Sequence, residues 1–207
     1  MIATRVLRAD EPGWMEVVLQ VLSRGGLVAF PTDTVYGVGA AAFDGAAVRR
    51  IYEAKGRREA NPIPILVADA THLDRLAGPI SDRVRRLAEA FWPGPLTIVV
   101  HKQPNVPPEI SLNATVGVRA PDHPVASAIL RAAGPLATSS ANRSGESPLT
   151  RPEDVLASLG GRIELLVDGG ESPGGVPSTV VDCTQDPPSM VREGPVSLDA
   201  VLRAWGS

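Results

Sequence analysis

The apolar positions of this chain change period again and again, and each change marks an element. Trp14, Val17, Val18, Val21 and Leu22 recur at i, i+3, i+4, i+7 and i+8, one stripe of a helix that Gly25-Gly26 closes. The run 27–30 is continuously apolar and reads as a short buried strand. Asp44 can cap a second helix that turns Ala47, Val48 and Ile51 inward. A strand is expected over 63–68, then a helix capped by Ser81 that carries Val84, Leu87, Ala88 and Phe91 and stops at Pro93-Gly94-Pro95. Strands follow at 96–100 and 115–119, and a helix at 124–133. A brief strand at 136–138 enters the polar loop 139–150. Then come a helix at 153–159, strands at 164–167, 179–182 and 190–192, and a last helix from Ser197. Helices and strands interleave, but several strands follow one another late in the chain. The pattern predicts an α/β fold with a mixed β-sheet rather than a strictly parallel one.

Composition narrows this picture. At 207 residues, 43% hydrophobic and 21% charged, the chain can bury a sizeable core, and length suggests one large domain or a domain and a half. There is no internal repeat, low-complexity block or long linker. The Pro/Gly-rich stretches 103–108 and 172–177 are expected to be ordered functional loops or a lid. The formal net charge of −3 and a pI of about 5.6 argue against a general nucleic-acid coat, though not against a local basic patch. One cysteine, Cys183, excludes an internal disulfide framework and fits a reducing compartment. The N-terminal residues lack a signal-peptide core, and no apolar run approaches a membrane span, so a cytoplasmic protein without membrane contact is expected.

The chemistry concentrates in Phe30-Pro31-Thr32-Asp33-Thr34-Val35-Tyr36-Gly37 and Lys55-Gly56-Arg57. A strand runs into a hydroxyl-rich turn, and a helix end delivers a point charge and a bidentate fork, a combination suited to phosphates and a carboxylate. Lys55 and Lys102 are the only lysines, which makes Lys55 a poor candidate for casual surface filling. A solvated helix end remains the competing reading for Lys55, Arg57 and Arg58. Ser139-Ser140-Ala141-Asn142-Arg143-Ser144-Gly145 follows a strand and resembles a ligand-binding loop; Ser178-Thr179 is a second hydroxyl pair at a strand start. Other motifs fail. Gly37-Val38-Gly39-Ala40-Ala41-Ala42 fits a dinucleotide fingerprint in letters only, because six residues separate it from the strand and the helix begins near Asp44. His72, His101 and His123 have no zinc-ligand spacing, no metal site is expected, and Cys183 after Thr179-Val180-Val181 reads as a buried inert thiol.

These segments, together with Asn61-Pro62, Trp92-Pro93-Gly94-Pro95-Leu96-Thr97, Val118-Arg119-Ala120-Pro121 and Pro177-Ser178-Thr179-Val180-Val181-Asp182, resemble the YrdC-like family, in particular its single-domain threonylcarbamoyl-AMP synthases of the TsaC type. The motifs stand in family order from about residue 15 to 195. The resemblance implies one open α/β domain over 1–207, core about 10–200, with a twisted mixed sheet flanked by helices around a large concave cavity. It implies ATP-dependent synthesis of L-threonylcarbamoyl-adenylate from L-threonine and bicarbonate or CO2, with release of pyrophosphate, as the first stage of the threonylcarbamoyl-adenosine modification of tRNA.

Carried over by motif, Thr34, Arg119, Ser140 and Ser178 fall on threonine-binding positions. Arg57, Asn61, Thr115, Asn142, Thr150 and Arg192 fall on ATP-binding positions. Lys55 and Arg57 are the candidate catalytic pair, neutralising phosphate or carboxylate charge, and Mg²⁺ would arrive with ATP. The expected chemistry is positioning and charge neutralisation, with no covalent enzyme intermediate. Downstream tRNA threonylcarbamoyl-transferase proteins are candidate partners, and weak RNA binding stays open. The resemblance implies that longer relatives carry a His where this chain has Leu66, and a second domain that is not expected within these 207 residues. The alternatives are a non-catalytic RNA-binding module of the same fold, disfavoured by the acidic pI and scarce aromatics, and a carbamoyl-transferring domain of hydrogenase-maturation type, whose zinc-finger and acylphosphatase segments are absent.

Overall fold

The computed structural model describes residues 2–58 and 61–206. Ten strands lie in one sheet: β1 (Arg5–Arg8), β2 (Val28–Phe30), β3 (Gly37–Ala41), β4 (Ile65–Leu66), β5 (Leu96–His101), β6 (Thr115–Arg119), β7 (Leu136–Ser140), β8 (Leu165–Asp168), β9 (Thr179–Asp182) and β10 (Ser189–Arg192). Their order is β1-β8-β2-β3-β7-β4-β6-β5-β9-β10. Four pairs are parallel (β1 with β8, β2 with β8, β4 with β6, β5 with β9) and the rest antiparallel, so the sheet is mixed, as the late run of strands predicted. The helices are α1 (Trp14–Ser23), α2 (Gly45–Lys55), α3 (Leu73–Leu76, entered from a 3₁₀ turn at Ala70–His72), α4 (Asp82–Phe91), α5 (Pro124–Ala133), α6 (Pro152–Leu159) and α7 (Leu198–Gly206). No helix among the described residues is long and apolar enough to cross a membrane.

Helix starts follow the caps in the sequence. Asp44 Oδ1 accepts from the Ala47 amide at 3.0 Å, and Ser81 Oγ from Val84 at 3.4 Å. Pro124 opens α5, where His123 Nδ1 accepts from the Val125 amide at 3.2 Å. Gly56, at φ 62°, ends α2 in the left-handed region and redirects the chain between Lys55 and Arg57.

The two faces of the sheet are covered unequally, and this makes the site. Ala29, Val38, Ala40, Ile65, Val116, Val118, Ile98, Val100, Ala137, Leu166 and Val181 point to one face and pack against α2, α3, α4, α6 and α7. On the other face, Val28, Phe30, Leu66, Leu136, Leu165 and Val167 pack only against α1 and α5, through Val18, Leu22, Ala126, Ile129 and Leu130. Beyond Leu66, towards β10, no helix among the described residues closes this second face. The positions that alternate with the core there mix polar residues (Thr97, Thr115, Arg119, Asp182) with Gly117 and two valines, Val99 and Val180.

Besides α3 and its 3₁₀ entry, where the sequence pattern predicts no helix, three elements differ from that pattern. β1 carries arginines at both ends and buries only Leu7, so alternation is hidden at this edge strand. β3, rich in Gly and Ala, forms a central strand in spite of poor propensity. It fits because a Cβ on Gly37 would lie 2.7 Å from Thr138 Cγ2, and one on Gly39 3.0 Å from Thr138 Oγ1. The glycines of the apparent dinucleotide fingerprint are there for strand contact. The third element, the strand expected over 63–68, contracts to Ile65–Leu66 behind Pro62 and Pro64.

Candidate active site

The uncovered half of the sheet floors a cavity of about 590 Å³. Strand register orders its floor. Leu66 stands opposite Arg119 in the β4–β6 ladder, Val99 opposite both Gly117 and Asp182, and Gly37 opposite Ser140. Opposed residues sit about 5 Å apart, so the cavity spans several strands. Its middle is apolar (Pro64, Val99, Gly117, Val180), with polar clusters around it.

The first cluster is built by the turn between β2 and β3. Thr32 Oγ1 donates to the Val35 carbonyl at 2.6 Å. Its one proton is thereby used, so Thr34 Oγ1 is the donor in the 3.0 Å contact between the two hydroxyls. Thr34 Oγ1 then accepts from Arg119 Nη1 at 3.0 Å. Arg119 also donates through Nε to the Gly94 carbonyl at 2.9 Å and through Nη2 to Asp33 Oδ1 at 2.5 Å. Gly94 belongs to the Trp-Pro-Gly-Pro turn, where a Cβ would lie 2.5 Å from the Phe91 carbonyl oxygen. Three of the five guanidinium N–H groups are occupied, leaving one on each Nη. Burial lowers the Arg119 pKa, and Asp33 opposes that shift.

Lys55 and the loop after β7 form the second cluster. The ammonium is buried and donates to the carbonyls of Ser140 and Asn142. The Lys55 carbonyl accepts from the Ser144 amide at 2.8 Å. Burial, helped by the charge of Arg57, lowers the Lys55 pKa to about 8. One of its three donors is unspent. Asn142 Nδ2 donates to the carbonyls of Arg143 at 2.9 Å and Glu146 at 2.8 Å. That fixes the amide orientation and leaves Oδ1 buried without a partner, an acceptor waiting for a donor. Arg57, half-buried, donates to the carbonyls of Asn61 at 3.3 Å and Pro62 at 3.1 Å.

The third cluster lies on β9 and β10. Arg192 Nη2 donates to the Ser178 carbonyl at 2.7 Å and to Ser178 Oγ at 3.1 Å, and Ser178 Oγ lies 2.8 Å from Thr97 Oγ1. The loop 172–177 is folded down on the first turn: the Gly175 amide donates to the Thr34 carbonyl at 2.8 Å and the Ser172 amide to the Thr150 carbonyl at 2.9 Å. Tyr36 Oη donates to the Gly170 carbonyl at 2.7 Å, and burial pushes its pKa up to about 12. The other Pro/Gly-rich stretch, 103–108, contributes no residue to the lining.

Nine of the eleven residues singled out in the sequence line this cavity: Thr34, Lys55, Arg57, Thr115, Arg119, Ser140, Asn142, Ser178 and Arg192. Two do not. The Asn61 side chain is exposed and its carbonyl holds Arg57, while Thr150 Oγ1 lies 3.3 Å from Glu171 Oε1 and its carbonyl holds Ser172. Sequence reasoning overlooked Asp33 as the partner of Arg119, Thr97 as the partner of Ser178, and Gly117 on the floor. The polar face Thr97, Thr115, Gly117, Arg119 was the available signal, since each lies at even spacing on its strand. Lys55, Arg57, Arg119 and Arg192 give the cavity an excess of positive charge over Glu146 and Asp182, a local basic patch in an acidic chain. Among the described residues no three His, Cys, Asp or Glu side chains group closely enough to hold a metal ion. Cys183 is half-buried and its thiol is pushed up to about 12 by burial and Asp182, which removes it as a nucleophile at neutral pH.

Comparison with known proteins identifies the family of the chain. The Sua5/YciO/YrdC family model, described as telomere recombination, matches residues 20–194. The threonylcarbamoyl-AMP synthase of Bacillus subtilis is 42% identical over 90% of this chain and 55% of its own. That of Pyrococcus abyssi is 44% identical over 89% of this chain and 55% of its own. The chain thus spans about half the length of these curated relatives. The crystal structure of P. abyssi Sua5 complexed with L-threonine superposes with a TM-score of 0.91 at 40% identity, over 99% of this chain and 60% of that one. The match across most of the chain, in sequence and in fold, places this protein in the Sua5/YciO/YrdC family.

Proposed function

We propose that this chain condenses L-threonine, bicarbonate or CO2, and ATP into L-threonylcarbamoyl-adenylate and pyrophosphate. The observation that carries the reading is the placement of Arg119, with two N–H groups to spare, in one cavity with Lys55, Arg57 and Arg192. A carboxylate matches the two free N–H groups of Arg119 as a bidentate partner. Thr34, whose proton is already committed, still offers a lone pair to the amine or hydroxyl of threonine. Leu66, opposite Arg119, supplies an apolar wall suited to the threonine methyl.

The third donor of Lys55, with Arg57 and Arg192, offsets charge on the nucleotide phosphates, and Asn142 Oδ1 takes a donor from the nucleotide. ATP is used as its Mg²⁺ complex, with the ion carried on the phosphates. The neutral threonine nitrogen bonds to the carbon of CO2 as one C=O π bond opens onto oxygen and one nitrogen proton passes to solvent; a carbamate oxygen then attacks the α-phosphorus as the bond to the bridging oxygen breaks and pyrophosphate leaves. Preorganised cations at such a centre are worth about 10²–10³-fold each in rate. The product fits consumption by a tRNA threonylcarbamoyl-transferase, which makes such proteins the partners to seek.

The test is pyrophosphate release by the purified protein. Release should require Mg²⁺·ATP, L-threonine and bicarbonate together, with an AMP-linked product of matching mass. No release above background with all substrates present would refute the reading.

A further inference from the structure

We propose that Asp33 is a positioning residue: it reserves the Arg119 fork for the amino-acid carboxylate and keeps it off the nucleotide phosphates. The inference rests on the adenylate-forming reading above.

The Asp33 and Arg119 side chains are 13% and 6% exposed, so their ion pair is screened little by solvent. Asp33 does not line the cavity, whereas Arg119 does. The carboxylate therefore grips the guanidinium from behind. Of the three acceptors that hold Arg119, Thr34 Oγ1 and the Gly94 carbonyl are neutral, and Asp33 alone carries charge. Acceptors on all three nitrogens fix the plane of the fork and leave one N–H on each Nη for a ligand.

This matters because the cavity is to hold two kinds of anion at once. Arg192 lies close enough to Arg119 to lower its pKa. A polyphosphate held by Arg57 and Arg192 would pull on any unrestrained guanidinium nearby, since arginine matches phosphate as well as carboxylate. A swing towards the phosphates would empty the carboxylate subsite and let ATP occupy both. Asp33 opposes that swing twice, by neutralising the Arg119 charge and by tethering Nη2. Its own place is fixed by packing: a Cβ on Gly174 would lie 2.6 Å from the Asp33 carbonyl oxygen, so the loop 172–177 closes tightly over this turn.

The experiment is Asp33→Asn, which keeps shape and one acceptor but removes the charge. Losing a charge-assisted hydrogen bond should raise the threonine KM roughly tenfold or more while the ATP KM stays within about twofold. ATP at high concentration should then compete with threonine, while in the parent protein the two should bind without competition. Threonine titrated calorimetrically, with and without a non-hydrolysable ATP analogue, reads the same effect without turnover. A parent protein that binds threonine but releases no pyrophosphate would refute the adenylate reading while leaving the role of Asp33 measurable. Asp33→Glu, which keeps the charge but shifts the tether, should weaken threonine binding alone in the same way. Unchanged threonine affinity in Asp33→Asn, or equal losses for threonine and ATP, would overturn the proposal. So would a failure of both variants to fold, which would make the pair a contact that holds the fold.

Discussion

Lys55 is a charge with two carbonyl partners and almost no contact with water. Burial disfavours its charged form, and the fall in pKa from 10.5 to about 8 corresponds to a stability cost on the order of 3 kcal/mol at neutral pH. The sign follows from proton binding. Between pH 8 and 10.5 the unfolded chain holds the proton and the folded chain does not, so the cost is full below pH 8 and is relieved as pH rises through that window. Activity should move the opposite way. If the third donor of Lys55 serves the phosphates, kcat/KM for ATP, measured at saturating threonine and bicarbonate, should fall above pH 8 with the loss of one proton. A profile flat to pH 10 would detach Lys55 from the chemistry. The scarcity of lysine marked this residue in the sequence, but its carbonyl partners come from β7 and the loop beyond it, 85 and 87 residues on, which no local pattern reveals. Asp33 escaped notice for the same reason: Arg119 is 86 residues away, brought alongside only by the order of the strands.

At the scale of elements, the longer helices were legible because period and caps agree on them, and long strands because both faces of each carry a signal, whereas the four-residue α3 is too short to show a period. β3 was not. Its Gly-Val-Gly-Ala-Ala has no strand propensity, and only the close approach of Thr138 explains its glycines. The same logic makes the segment after β10 testable. A Cβ on Gly194 would lie 2.4 Å from the Thr179 amide nitrogen, 2.6 Å from the Pro177 carbonyl oxygen and 2.7 Å from Ser178 C. These are backbone atoms, and Thr179 Oγ1 is tied to Val196 by hydrogen bonds of 2.8 and 2.9 Å, so neither side can yield cheaply. Gly194→Ala should cost about 1–3 kcal/mol in chemical denaturation, the usual range for overpacking. It should also impair turnover, because the strand start it displaces carries Ser178, which Arg192 grips. Parent-like stability and turnover would show that the two segments part freely.

For the molecule as a whole, the deciding feature is a sheet with one complete helical cover and one half cover. A mixed α/β sheet could be read from the order of elements, and the cavity residues from their motifs. Which half of the sheet lies open could not, because it depends on pairings such as β5 with β9 that join segments some 80 residues apart. The open half has a thermodynamic consequence. Its floor presents buried or half-buried polar groups with unspent capacity, among them two N–H groups of Arg119, one donor of Lys55 and the orphaned Oδ1 of Asn142. Ligands that satisfy these groups act as the missing layer and bind the folded state alone. A ligand at a hundred times its dissociation constant stabilises by about 2.7 kcal/mol. For a chain of this size each kcal/mol raises Tm by about 2–4 °C, so a shift of roughly 5–10 °C is expected from each ligand. L-threonine and a non-hydrolysable Mg²⁺·ATP analogue should each raise Tm, and together by at least the sum, because walls ordered by one need not be ordered again by the other. Arg119→Ala should abolish the threonine increment and keep the nucleotide increment, provided the variant folds with a cooperative transition. Loss of both increments together would mean that the two ligands do not occupy separable ends of the cavity, and the assignment of Arg119 to the amino acid would fall with it.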